Sequence, residues 1–139
     1  MRSRAATSLE FPESLLGVPW VEGGRDCRPL VGGADCLGIV LAGLRALGYK
    51  VRDPWDEIEE RWKLGRNQVE AWMPTDWRLV DKDREDVHVG DVLILNHGQH
   101  CVLVVPGQRV LGGREKSGSY LAQLRHVLPF AQGAWRLRA

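Results

Sequence analysis

Asp35-Cys36-Leu-Gly-Ile-Val-Leu-Ala-Gly-Leu-Arg-Ala-Leu-Gly48 is the stretch on which the fold turns. Cys36, Val40, Leu44 and Leu47 recur at helical spacing, Asp35 offers a side-chain oxygen at the N-cap, and Gly48 offers the C-terminal stop. Gly38, Ala42 and Gly43 strip one side of this helix of bulk, so a neighbouring element can approach its backbone. The helix is expected to be central and buried. Its first turn puts Cys36 where unpaired amides and the positive end of the helix dipole favour thiolate over thiol. That makes Cys36 a candidate nucleophile. A cysteine at a helix start is, however, more often a small buried hydrophobe, so the rest of the chain must supply a base.

Upstream, Gly17 to Gly33 holds five glycines and two prolines and reads as a long ordered loop. Downstream, Pro54 to about Trp72 reads as a second helical segment, with Trp55, Ile58, Trp62 and Val69 among charged residues and Pro74 ending it. The segment Arg52 to Trp77 carries four of the six tryptophans and is expected to flank a groove. After the charged turn Asp81 to Asp86, short apolar runs alternate with Gly and Pro: Val89–Asn96, His100–Val105, Gln108–Leu111, Gln123–Leu128 and Ala134–Leu137. These predict an antiparallel meander. Helix first and strands afterwards is an α+β order, with the central N-terminal helix packed on one face of a sheet of about five strands.

The strand beginning at His100 follows a Gly-containing turn, Asn96-His-Gly-Gln99, which can present an imidazole at a sheet edge. Asn96, His97, Gln99 and His100 are all candidates by type. Alternation puts His100, Val102 and Val104 on one face and Cys101, Leu103 and Val105 on the other. His100 is therefore the expected base facing Cys36, and Cys101 is expected to face away as a packing residue. Cys27, Cys36, His97, His100 and Cys101 lack the tight paired spacing of structural zinc sites, so no metal and no cofactor is expected. His88 and His126 read as a loop and a strand residue.

The 139 residues suit one domain, spanning 1–139. Nineteen Lys+Arg against eighteen Asp+Glu give a formal charge of +1, which argues against a nucleic-acid binder held by a basic field. The apolar runs fall far short of the roughly 18 to 20 residues that a spanning helix requires, so no membrane insertion is expected. Two early arginines lead into Glu10, Pro12 and Glu13 instead of an apolar run, so no signal peptide is visible and synthesis in the cytoplasm is expected. Three cysteines do not read as a disulfide framework.

Taken together, these residues resemble the NlpC-type cysteine peptidases, which are papain-like cell-wall amidases. Gly17-Val-Pro-Trp20 is similar to the family's Gly-x-Pro-aromatic segment, and Asp35-Cys36-Leu-Gly38 to its nucleophile motif. Gly90-Asp-Val-Leu-Ile-Leu95 resembles the Gly-Asp-aliphatic strand, and His100-Cys-Val-Leu-Val-Val105 the strand whose first residue is the catalytic histidine. The resemblance implies a papain-like fold with Cys36 and His100 as catalytic residues. It further implies substrate contacts around Trp20, Asp35, Gly38 and Gln99, and hydrolysis of an amide in the peptidoglycan stem peptide through a thioester. The lack of a signal or wall-binding module is similar to phage and prophage tail-assembly members. It implies phage tail proteins as partners, with synthesis in the host cytoplasm and residence in the virion tail.

One position departs from that pattern. About twelve residues after the catalytic histidine the family usually carries a polar side chain, most often His, that orients the imidazole; here Gly112 stands there. Glu115, Gln99, His126, a backbone carbonyl or a water are the possible substitutes, and an inactive tail-tip subunit of the same fold is the alternative reading. A second Asp-Cys pair, at Cys27, precedes Arg28-Pro29. That proline disfavours a helix at Arg28, so Cys27 lacks the dipole that would activate it.

Overall fold

A computed structural model describes residues 10–63 and 73–138. Two short strands, β1 (Arg25–Asp26) and β2 (Gly33–Ala34), pair within the long loop and lead into helix α1 (Cys36–Ala46). Helix α2 (Trp55–Lys63) follows, then β3 (Trp77–Val80), β4 (Val92–Leu95), β5 (His100–Val105), β6 (Arg109–Arg114) and β7 (Gly118–Gln123). A helical turn, α3 (Leu124–Val127), and strand β8 (Gly133–Leu137) complete the chain. Strands β3 to β8 form one antiparallel sheet in the order β3-β8-β4-β5-β6-β7. No helix among the described residues is long and apolar enough to cross a membrane.

Helix α1 is capped at both ends. The Asp35 carboxylate accepts from the Gly38 N–H at 2.8 Å, and Gly48, at φ +98°, ends the helix in a left-handed turn. Its apolar side packs on β5 and β6, where Ile39, Val40 and Leu44 meet Leu103, Val105 and Leu111, all buried. Each such side chain stabilises the fold by roughly 1.5–3 kcal/mol relative to exposure. Gly43 is small because a Cβ there would run into the Leu103 side chain, and Gly38 because one would sit 2.5 Å from the Gly24 carbonyl oxygen. The expected stripping of bulk thus serves two contacts, one to the sheet and one to the loop.

The other sheet face buries Leu93, Val102, Val104 and Val110 beneath Leu124 of α3 and Ala131. Buried Asp91, just before β4, accepts two hydrogen bonds of 2.8 Å from the Arg136 guanidinium in β8 and one of 2.7 Å from the His88 N–H. The Gly90-Asp91 pair therefore closes a strand junction, away from the cleft described below.

Two of the expected elements differ in the structure. The main sheet has six strands, the extra one being β3, whose Trp77 and Val80 are both buried. The strand expected at Gln123–Leu128 lies earlier, at Gly118–Gln123; Leu124, Val127 and Leu128 recur at i, i+3 and i+4, a helical spacing, and the chain turns there into α3. The second helix is assigned over Trp55–Lys63, and the remainder of its expected span, including Val69 and Trp72, lies outside the described residues.

Candidate active site

Cys36 occupies the first position of α1, at the head of a cleft of about 1000 Å³ that His100, Cys101, Gln99 and Trp20 also line. The cleft continues along α2, with Trp55 and Trp62 on one wall and Trp77 and Trp135 at its base. Trp55 and Trp62 meet edge to face at 5.6 Å between ring centroids, and the buried Trp77 and Trp135 lie 6.2 Å apart. The tryptophans of the 52–77 segment that are described, Trp55, Trp62 and Trp77, thus flank a groove.

The Cys36 thiol is held down to about 5. Hydrogen bonding from the Cys101 thiol is the largest cause; the His100 imidazole adds a hydrogen bond and its charge, and together they outweigh burial, which alone would push the thiol up. Cys101 moves the opposite way, well above the ordinary thiol range, because its proton is held against the Cys36 sulfur and because it is buried. The helix start and the imidazole favour negative charge on Cys36. The sequence expectation for Cys101 is thereby corrected. Helix α1 packs on the face carrying Cys101, Leu103 and Val105, so this cysteine points toward Cys36 and not away from it. His100 reaches the same sulfur from the first position of β5, after a turn in which Asn96 and His97 take left-handed φ of 51° and 54°.

Nε2 of His100 lies 3.0 Å from the Tyr120 hydroxyl. The two rings are nearly parallel, 17° apart, with centroids at 6.4 Å. None of Glu115, Gln99 and His126 takes this place: Glu115 and His126 are exposed in a turn and in α3, and Gln99 stands on the cleft wall. Tyr120 was not legible as a candidate from spacing alone. A hairpin centred on Lys116, which pairs Gly112 with Tyr120, was the available signal.

The remaining expected site residues separate. Trp20 lines the cleft, held by a bridge to Ala34, and Gln99 lines it from an exposed position. Asp35 also lines it, but its oxygens are committed to the Gly38 N–H at 2.8 Å, the Gly23 N–H at 3.0 Å and the Arg25 guanidinium at 2.8 Å. It is therefore an organiser of the helix start. Gly38 is buried against the Gly24 carbonyl and does not line the cleft. Arg25, absent from the sequence reading, bonds Asp35 and also Asp53, the latter at 2.6 Å. Cys27 directs its thiol to the Gly38 carbonyl at 3.4 Å, and burial pushes that thiol up, so it has none of the activation found at Cys36. Among the described residues no group of three or more His, Cys, Asp or Glu is arranged to hold a metal.

No family profile matches the chain, and no curated protein matches it in sequence. Solved structures do. A hypothetical invasion protein of Mycobacterium tuberculosis superposes over 91% of this chain with a TM-score of 0.53 at 18% identity. The P60 domain of an antigen from M. avium subspecies paratuberculosis superposes over 91% with a TM-score of 0.51 at 16% identity. The chain spans 57% of the length of the first and 90% of the second. At these identities the likeness is one of fold: the chain has the α+β fold of a P60 domain, the architecture that its motifs resemble.

Proposed function

We propose that this chain is a cysteine hydrolase that cleaves an amide bond in the peptidoglycan stem peptide. The observation that carries the reading is a thiol held near 5 at a helix start, beside an imidazole and facing a large cleft. Fold likeness to a P60 domain supports it. The Cys36 thiolate attacks the amide carbon and forms the C–S bond, while the carbonyl oxygen gathers charge near the Cys36 N–H, which has no acceptor within the helix. His100 delivers its proton to the leaving amine as the C–N bond breaks, giving a thioester and a free amine. A water then loses a proton to His100, attacks the thioester, and regenerates the thiolate with release of the acid. Trp20 and Gln99 border this end of the cleft, and the tryptophan walls supply apolar contact farther along.

The test is incubation of the purified protein with muropeptides beside Cys36→Ala, read by mass spectrometry. Products with a new amino terminus are expected from the wild type alone. Equal release from both, or none from either across a range of pH, overturns the reading.

The setting we propose, by likeness to the tail-assembly members of that family, is a phage tail: synthesis in the host cytoplasm, association with tail proteins, and action on the wall from the virion. Virions carrying Cys36→Ala are expected to assemble but to lose infectivity on walled cells; absence of the protein from purified tails counts against this setting. The alternative, a tail-tip subunit without turnover, draws on Gly112 and on the minimal length; Tyr120, 3.0 Å from His100, answers the first of these.

A further inference from the structure

Gly112 and Tyr120 stand directly opposite each other in the β6–β7 register. A Cβ on Gly112 would lie 2.8 Å from the Tyr120 hydroxyl oxygen, 2.9 Å from Cζ of the same ring and 2.8 Å from Cγ1 of Val102. No side chain fits at 112 while the phenol lies where it does. The missing side chain at that position is thus the space through which Tyr120 crosses β6 to reach β5. Its hydroxyl arrives 3.0 Å from Nε2 of His100, with the rings nearly parallel. On its other side the Arg114 guanidinium carbon sits 4.2 Å from the Tyr120 ring centroid, a cation over a π face that fixes the ring. Tyr120 does not line the cleft.

We propose that Tyr120 is the positioning residue for His100, accepting a hydrogen bond from Nε2–H so that the other ring nitrogen is kept for the Cys36 sulfur. The proposal rests on the hydrolase reading for its catalytic consequence, but not for its effect on the thiol. A phenol suits the task because one oxygen can accept from either the neutral or the charged ring, and hydrogen bonding to a charged imidazolium is the stronger of the two. Burial pushes the Tyr120 hydroxyl up, so it stays protonated and neutral through the range in which Cys36 titrates. The pairing is also self-consistent: any Cβ at 112 crowds the phenol where it stands, so the glycine and the phenol act as a unit.

The test compares wild type with Tyr120→Phe, which keeps the ring, its stacking on His100 and the Arg114 cation over its face, and removes the oxygen with the hydrogen bonds it makes to His100 and Arg114. Two readouts are taken, iodoacetamide alkylation of Cys36 against pH, and kcat and KM on muropeptides, with thermal unfolding in parallel. Tyr120→Phe is expected to unfold close to wild type and to raise the midpoint of the alkylation profile by about one pH unit, because the imidazolium that favours the thiolate is less well held. Its kcat is expected to fall about 10- to 100-fold, the scale of a hydrogen bond to a charged group, with KM little changed since the residue lies outside the cleft. A variant with wild-type midpoint and wild-type kcat overturns the proposal, and so does a fall in kcat that tracks lost fold without a shifted midpoint. If no form cleaves muropeptides, the hydrolase reading fails, and the alkylation midpoint alone decides the role of Tyr120.

Discussion

The Cys101 thiol stands beside the Cys36 sulfur on the sheet face that α1 covers, and its hydrogen bond is the largest single influence lowering the Cys36 thiol. Cys101 is an immediate chain neighbour of His100, so one step of β5 delivers two groups to the nucleophile. Cys101→Ala removes the S–H while leaving the imidazole. The expected outcome is an alkylation midpoint well above 5, with slower alkylation at pH 6 and little change at pH 9, where the thiol ionises in either form.

The pH profile of the wild type follows from the same shift. The thiolate is the reacting form, so activity and alkylation are both lost as pH falls through about 5, and they are retained at neutral pH. Measured as kcat/KM on muropeptides, which reports the free enzyme, the acid limb is expected at about 5. An acid limb near 8 to 9, the range of an ordinary thiol, would show that the nucleophile is not activated.

Two glycines of α1 provide a stability contrast. Alanine in place of glycine in a helix interior favours the helix by about 1 kcal/mol, but overpacking costs roughly 1–3 kcal/mol. Gly38→Ala drives a Cβ against the Gly24 backbone carbonyl, which cannot swing aside, whereas Gly43→Ala meets the tip of the Leu103 side chain, which can. Gly38→Ala is therefore expected to lose about 1–2 kcal/mol net and to slow alkylation by shifting the Cys36 turn, with Gly43→Ala the milder of the two. Urea unfolding of both variants decides the order.

How much of this was legible in the residues differs by element. Asp35, Cys36 and Gly48 act within one helix, so local spacing exposes them, and His100 is exposed by the turn before β5. Cys101 was misread because alternation says which residues share a face but not which face the helix will cover. Tyr120 was missed because its contact with His100 spans twenty residues and needs the β6–β7 register and the space at Gly112. At Gly38 the need for a small residue was legible but its neighbour was not, because the Gly24 carbonyl that crowds it comes from a loop whose course no periodicity describes.

Asp91 and Arg136 allow a test of the sheet apart from chemistry. The carboxylate is buried and the guanidinium half-exposed at most, and the carboxylate raises the affinity of Arg136 for its proton. Asp91→Asn is expected to destabilise the fold by about 2–3 kcal/mol through loss of the paired hydrogen bonds. Because the pair lies outside the cleft, the alkylation midpoint of Cys36 is expected to stay at about 5 in the folded variant.

A single guanidinium links the two sides of the groove. Arg25 grips Asp35, which seats the first turn of α1, and Asp53, which precedes α2 and its two tryptophans. Prying the tryptophan wall outward stretches the Asp53 contact, and the pull is transmitted through the same side chain to the nucleophile's anchor. One guanidinium therefore ties the width of the groove to the seat of the sulfur, and a bulky occupant that wedges the wall open is expected to disturb the very atom it is meant to meet.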